Sequence, residues 1–184
     1  MRIIAGSAKG TKLKMVPGKH VRPTVDRVKE TLFNVIGPYF DEGWALDLFA
    51  GTGGLGLEAL SRGIAHAVFI DQSRTSIETI KENIQLTHFE KQSEWYRQDA
   101  RAAIKFLAKR AVKFNLIFLD PPYHENWLEP IVYQILQLDL LEDRGVLVLE
   151  HPTRVKIPES WSGLSSDRIL TFGDTQLTIF TKEK

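Results

Sequence analysis

Three groups of residues in this chain have the types and the spacing that chemistry requires. Gly51, Gly53 and Gly56, inside the stretch WALDLFAGTGGLG at residues 44–56, keep the G-x-G-x-x-G spacing. The first glycine permits a tight turn, the second lets a ligand touch the backbone, and the third lets the following helix close on its strand. The start of that helix then presents unpaired N–H groups to a polar ligand. Asp71 stands 20 residues past Gly51, the separation at which an acid accepts hydrogen bonds from ribose hydroxyls. Asp120-Pro121-Pro122-Tyr123 completes the set. Its prolines remove two N–H donors and stiffen the turn, while their carbonyls remain as acceptors. An aspartate and a proline carbonyl that converge accept hydrogen bonds from an exocyclic amino group. The tyrosine offers a flat face on which a base stacks, worth roughly 1–3 kcal/mol. That combination suits alkylation of a nucleobase amine, whose conjugated lone pair is weakly nucleophilic. A site for it must orient the amine and stabilise the positive charge that grows on nitrogen.

These residues need elements to hold them, and the hydrophobic pattern supplies an alternation of strand and helix. Strands are expected at about 44–49, 67–71 (AVFID), 94–98, 114–119 (FNLIFL) and 145–150 (GVLVLE). Helices are expected at about 54–62, after Ser73 with Ile77, Ile80 and Ile84 on the apolar face, after Asp99, and over about 127–138. The strands are continuously apolar, as in strands that helices cover on both faces. The order implies an α/β fold, a doubly wound and mostly parallel sheet with right-handed crossovers. Residues 168–172 and 176–181 break the order. Separated only by Gly173-Asp174 and their flanks, they should pair as a C-terminal antiparallel hairpin. In an open parallel sheet, ligands sit beyond the carboxyl ends of the strands. Four such ends carry an aspartate here: Asp47, followed by Leu48, Phe49 and the glycines, then Asp71, Asp99 and Asp120. Singly, each has a plain reading as a loop acid or helix cap, Asp99 before Ala100 most of all. Four together point to a site.

Ahead of the sheet, residues 2–22 carry Gly6, Gly10, Pro17 and Gly18 and read as short strands or an extended arm, around 2–5 and 12–15. Thr24 reads as the N-cap of an amphipathic helix with Val25, Val28, Leu32, Val35 and Ile36 on one face, stopped by Gly37-Pro38. Charge is uneven along the chain. Residues 1–30 hold eight Lys/Arg against two acids, net +6, and the remainder holds 16 against 21, net −5. A basic arm on an acidic body is what binding to a phosphate backbone needs, although a merely solvated terminus has the same composition. Arg22, Arg27 and Lys29 lie on or near the first helical turn, where cations oppose the helix dipole and an outside anion would justify them. The 184 residues are enough for a single domain with a substantial core, divided into a basic arm and helix at 1–40 and an α/β core at 41–184. The absence of cysteine excludes disulfides, thiolate zinc sites and a cysteine nucleophile. No apolar run approaches the roughly 18–20 residues that span a bilayer, and the start MRIIAGSAKG lacks a signal peptide's apolar stretch. A soluble, cytoplasmic protein without a membrane partner is expected. No helix face is left over for self-association, which favours a monomer.

The ordered motifs DLFAGTGGLG (47–56), FID (69–71), QDA (98–100) and DPPY (120–123) resemble those of class I S-adenosylmethionine-dependent methyltransferases. More narrowly, MRIIAG (1–6), RPTVDRVKETLFN (22–34), DPPY, LVLEH (147–151) and FGDTQL (172–177) resemble the RsmD family, which methylates guanine N2 in 16S ribosomal RNA. The resemblance runs nearly from end to end, and residues 22–34 are its most specific part. It implies a Rossmann-like sheet of seven strands and S-adenosyl-L-methionine as cofactor. It implies 16S rRNA or the small ribosomal subunit as partner, and direct in-line displacement at the sulfonium with no metal. On the family pattern, Gly51, Gly53 and the backbone near Phe49 enclose the methionine part of the cofactor, with Asp47 near its ammonium. Asp71 holds the ribose hydroxyls, and Asp99 and Ala100 meet the adenine edge. Asp120 and Pro121, with Pro122 in the same turn, bind the guanine amino group, and Tyr123 stacks the flipped base. Arg22, Thr24 and Arg27 line the RNA side, and Lys9, Lys12, Lys14 and Lys19 contact phosphates.

Other readings use part of the same pattern. A DNA adenine-N6 or protein glutamine-N5 methyltransferase would carry the same DPPY turn. The basic arm argues against the glutamine enzyme, and the small size leaves no separate DNA-reading domain. An NAD-dependent oxidoreductase would use the glycines and Asp71 and leave Asp99 and DPPY without a role. A non-catalytic RNA-binding assembly factor would keep the fold without the chemistry. His20, His66, His88, His124 and His151 show no paired metal spacing.

Overall fold

The apolar run that begins at Trp44 becomes a short strand, β1 (Trp44–Asp47), buried from Ala45 onward. The other strands are β2 (His66–Asp71), β3 (Ser93–Arg97), β4 (Phe114–Leu119), β5 (Leu141–Pro152), β6 (Ser160–Trp161), β7 (Leu164–Phe172) and β8 (Thr175–Lys182). The helices are α1 (Val25–Ile36), α2 (Gly54–Ser61), α3 (Arg74–Thr87), α4 (Ala100–Lys109) and α5 (Leu128–Gln137). The computed structural model describes residues 1–18, 25–122, 127–161 and 163–184. Its strands join in one sheet of order β3-β2-β1-β4-β5-β8-β7-β6. The first five are mutually parallel, and β8, β7 and β6 add to β5 as antiparallel strands. The expected α/β class and C-terminal hairpin are both present.

Alternate residues of the buried strands face opposite layers. Ala45, Ala67, Phe69, Leu116 and Phe118 pack with residues of α1, α2 and α3, whereas Leu46, Val68, Ile70, Ile117 and Leu119 pack with α4 and α5. Both faces are covered, so neither register of the strand can be polar. That is why the runs read as continuously apolar. The strands differ from the sequence reading in extent and in number, and β7 begins at Leu164 rather than at 168. β5 begins at Leu141, which pairs with Phe114, and the register then shifts before Leu116 meets Val146. The polar residues 142–144 at this irregularity hid the strand's start. The sheet has eight strands rather than seven because β6 pairs Ser160 and Trp161 with Ser165 and Leu164. Two residues are too few to leave a periodic signal.

The N-terminal arm is a packed element. It folds back on itself, with Arg2 bridged to Lys12, and buries Ile3, Leu13 and Val16. Its backbone is held by side chains of the core. Glu58 on α2 accepts from the N–H groups of Ile4 at 2.9 Å and Ala5 at 3.1 Å. Asn83 on α3 accepts from Lys14 N–H at 2.7 Å and donates to the carbonyls of Lys14 and Thr52. Lys29 on α1 is 2 % exposed and pairs with Glu58 at 3.2 Å, and Arg62 pairs with the same carboxylate at 2.8 Å. The anion that Lys29 needed is therefore internal. Burial lowers the Lys29 pKa, and the neighbouring Glu58 opposes that shift.

Candidate active site

From β1 the chain winds outward through β2 to β3, and α4 then carries it back to place β4 on the other side of β1. The direction of winding reverses between β1 and β4, the position at which open α/β sheets bind ligands. A cavity of about 630 Å³ opens there. Asp47, Phe49 and Gly51 line it from the end of β1, Asp71 from β2, Ala100 from the start of α4, and Asp120, Pro121 and Pro122 from the turn after β4. Residues separated by more than 70 positions in the chain thus face one space.

The glycine turn works as its spacing suggests. Gly51 has φ +56° and Gly53 has φ +82°, both in the left-handed region. A Cβ on Gly56 would lie 2.4 Å from Phe69 Cε1, so this glycine allows α2 to close on β2. The freed N–H groups hold the acids. Gly51 donates to Asp71 Oδ2 and Ser73 to Asp71 Oδ1, both at 2.9 Å, and Gly56 donates to Asp47 Oδ2 at 3.0 Å. Asp47 is buried, and desolvation pushes its pKa up to about 8; the Gly56 N–H opposes this and the charges of Asp120 and Asp71 add to it.

Some residues singled out in the sequence sit elsewhere. Gly53 does not line the cavity. It faces the Phe69 ring, 3.3 Å from where its Cβ would be, and Thr52 and Gly54 take its place on the wall. Asp99 caps α4, its Oδ1 accepting from Arg101 N–H at 2.9 Å and Ala102 N–H at 3.4 Å, while its neighbours Gln98 and Ala100 reach the cavity. Lys9, Lys12, Lys14 and Arg27 are exposed and lie off the cavity wall. Lys14 forms an ion pair with Glu82 at 3.0 Å. Lys19, Arg22, Thr24 and Tyr123 lie outside the described residues.

Other wall residues were not chosen from the sequence. Gln98 Oε1 and the Trp127 indole N–H are buried without a hydrogen-bond partner among the described residues, and both residues line the cavity. A buried polar atom left unpaired costs roughly 1–3 kcal/mol, so this pair suits a ligand that offers a donor to one and an acceptor to the other. The Trp127 ring meets Phe49 edge-on at 6.0 Å and carries the Arg101 guanidinium at 4.9 Å. Glu150 at the end of β5, and Phe172 and Thr175 beside the β7–β8 turn, close another side. Met1, Met15 and Val16 bring the arm to the rim. Two of these carried a signal in the sequence: the indole N–H, since a tryptophan at a helix start beside an apolar face needs an acceptor, and Glu150, an acid that ends the apolar run GVLVLE.

His151 has a structural place. It is 1 % exposed, and its Nδ1 donates to the Pro152 carbonyl at 3.0 Å. A neutral ring then accepts at Nε2 from the Thr178 hydroxyl at 2.7 Å, tying β5 to β8. No helix among the described residues is long and apolar enough to cross a membrane.

The family model described as "Conserved hypothetical protein 95" matches residues 1–181. YlbH of Bacillus subtilis (strain 168) is 47 % identical over 182 residues, 99 % of each chain. Ribosomal RNA small subunit methyltransferase D of Escherichia coli (strain K12) is 36 % identical over 175 residues, covering 88 % of this chain and 81 % of that protein. The solved structure of yhhF from Escherichia coli superposes with a TM-score of 0.84 at 33 % identity, covering 100 % of this chain and 98 % of that one. The sheet with its reversed winding and antiparallel C-terminal strands is the Rossmann-like fold of class I methyltransferases, and the chain belongs to the RsmD family of S-adenosylmethionine-dependent methyltransferases.

Proposed function

We propose that this protein transfers a methyl group from S-adenosyl-L-methionine to the exocyclic N2 amine of a specific guanine in the 16S rRNA of the small ribosomal subunit. The observation that carries this reading is the meeting of Asp120 and Pro121 with Asp47, Asp71 and Gly51 on one cavity at the switch point. The name of the Escherichia coli relative supports the small-subunit RNA as the substrate class. The cofactor, when bound, supplies a methyl carbon on a sulfonium centre, open to in-line attack. Asp71 takes the ribose hydroxyls. Each of its oxygens already accepts one backbone N–H, which fixes the carboxylate and leaves lone pairs for the ligand. Asp47 accepts from the ammonium, and Phe49 and the Gly51 turn enclose the methionine chain. Gln98 and Ala100 meet the adenine edge, with Gln98 Oε1 as an acceptor for its amine, and Asp99 holds this turn in place by capping α4. Asp120 and the Pro121 carbonyl accept hydrogen bonds from the guanine amine, hold its lone pair toward the methyl group and stabilise the charge that develops on nitrogen. Tyr123 stacks the flipped base, and Pro122 keeps the turn rigid. Arg22, Thr24, Arg27 and the arm lysines contact the RNA.

The test supplies purified protein with labelled S-adenosylmethionine and small subunits from cells lacking the enzyme, alongside matching deproteinised RNA and DNA. Products are digested to nucleosides and separated. Label in N2-methylguanosine is the expected result, and the comparison of subunit with naked RNA shows which form is recognised. Label in N6-methyladenine would keep the mechanism and overturn the target. Absence of label with intact cofactor binding would favour an assembly role without catalysis. Asp120→Ala should abolish transfer and leave cofactor and RNA affinity nearly unchanged. Equal loss of all three would remove Asp120 from the chemistry.

A further inference from the structure

The proposed mechanism uses one carboxylate on the substrate side of the cavity, and a second, Glu150, lines the same cavity. β4 and β5 run parallel in a register that ends with Leu119 opposite Leu149. The next residues are Asp120, just past the end of β4, and Glu150 in β5, on chains that are about 4.8 Å apart where they pair. Positions matched in register present their side chains to the same face of a sheet. Both residues line the cavity. The neighbouring antiparallel strand completes this wall. Thr175 lies opposite Pro152 in β5 and opposite Phe172 in β7, and Thr175 and Phe172 also line the cavity.

Two carboxylates on one wall present oxygen acceptors to a ligand. They complement a ligand edge with two adjacent N–H donors and oppose one that alternates donor with lone pair. Guanine presents N1–H next to its N2 amine. Adenine presents its amine next to the N1 lone pair, and cytosine presents its amine next to the N3 lone pair. We infer that Glu150 accepts the N1–H of the target base beside the Asp120 that takes the amine, and so makes the site selective for guanine. The inference rests on the reading of this cavity as the site of nucleobase-amine methylation. Glu150 contributes an attractive contact to guanine and a lone-pair clash against adenine, the two components that specificity requires.

The test uses substrate RNA, assembled with small-subunit proteins where the enzyme requires it, that carries either guanine or 2-aminopurine at the target position. 2-Aminopurine keeps the 2-amino group and lacks the N1 proton together with O6, so the Glu150 variants are what isolate the N1 contact. The wild-type protein should methylate guanine with a kcat/KM roughly 10- to 100-fold above 2-aminopurine. Glu150→Leu should lower the guanine value and raise that of 2-aminopurine, whose N1 lone pair no longer meets a carboxylate, so that the ratio falls toward one. Glu150→Gln keeps the shape and a neutral acceptor, so it should fall between. Cofactor affinity measured on each variant reports whether the fold is kept. If Leu disturbs it, the Gln variant carries the decision. Equal losses on both substrates, or a wild-type ratio near one, would overturn the role of Glu150 while N2-methylguanosine still forms. A wild-type protein that forms no N2-methylguanosine would instead overturn the underlying reading of the site, and this inference with it.

Discussion

Asp47 concentrates the electrostatic character of the site. Burial holds its carboxyl protonated until about pH 8, whereas an unfolded aspartate ionises near pH 3.8. Between these values the unfolded chain binds fewer protons than the native one. The contribution of Asp47 to stability is therefore complete below about pH 4 and is lost as pH rises toward 8. A ligand ammonium reverses the preference by favouring the carboxylate. Cofactor binding near pH 7 should then release close to one proton, and affinity should rise from pH 6 to about pH 8 before levelling. Calorimetry in buffers of different ionisation enthalpy measures that proton. Asp47→Asn should bind more weakly and with no pH slope, and a wild-type affinity flat over this range would remove Asp47 from the ammonium. The sequence made Asp47, Asp71 and Asp120 legible because each follows a buried apolar strand, where a charge has a function or a high cost. It did not separate Gly53, which packs on Phe69, from Gly51, Thr52 and Gly54 on the wall, because spacing specifies a turn's conformation but not which way each residue faces. It left Asp99 between cap and ligand, and the cap is formed.

The N-terminal arm shows where element-level reading stops. Its glycines and weak alternation indicated extended chain, and its lysines a basic face. Neither indicated that Glu58 on a helix 50 residues later would gather two backbone N–H groups, Lys29 and Arg62 in one buried cluster. Hydrophobic periodicity reports apolar faces, so a buried ionic cluster drawn from three elements leaves no trace in it. Lys29 looked like a surface cation for the same reason. Removing one partner of a buried ion pair costs roughly 3–5 kcal/mol because the other charges stay behind unpaired. Glu58→Ala should therefore lower thermal stability by an amount of that order. It should also expose the first 18 residues to protease before the sheet unfolds, since Lys29 and Arg62 lose their shared anion and the arm loses two acceptors. Cofactor affinity should fall with it, because Met1, Met15 and Val16 form part of the cavity wall. A variant that melts within about 1 °C of wild type and resists cleavage would show that apolar packing of Ile3, Leu13 and Val16 is sufficient to hold the arm.

At the scale of the whole molecule, the arm has an inward apolar face and an outward basic one. Ile3, Leu13 and Val16 are buried against the body, while Lys9 and Lys12 are exposed on a segment that borders the cavity through Met1, Met15 and Val16. Charge counts from the sequence placed net +6 in the first 30 residues, but they weighted every cation equally. The structure separates them. Lys29 is neutralised internally by Glu58, and Lys14 shares its charge with Glu82. RNA affinity that depends on phosphate contacts falls with salt, with a slope of about 0.7–0.9 per phosphate neutralised. Lys9→Ala with Lys12→Ala should weaken RNA binding at low salt and reduce the slope of log affinity against log salt by about 1–2. Lys14→Ala should change it less, because Glu82 already screens that charge. Binding measured from about 50 to 200 mM salt gives the slope directly, and the rate of methyl transfer at saturating RNA should stay at the wild-type value because none of these lysines reaches the cavity. An unchanged slope in the double variant would move the RNA interface off the arm. A greater effect from Lys14 than from Lys9 and Lys12 together would mean that the ion pair with Glu82 opens when RNA binds.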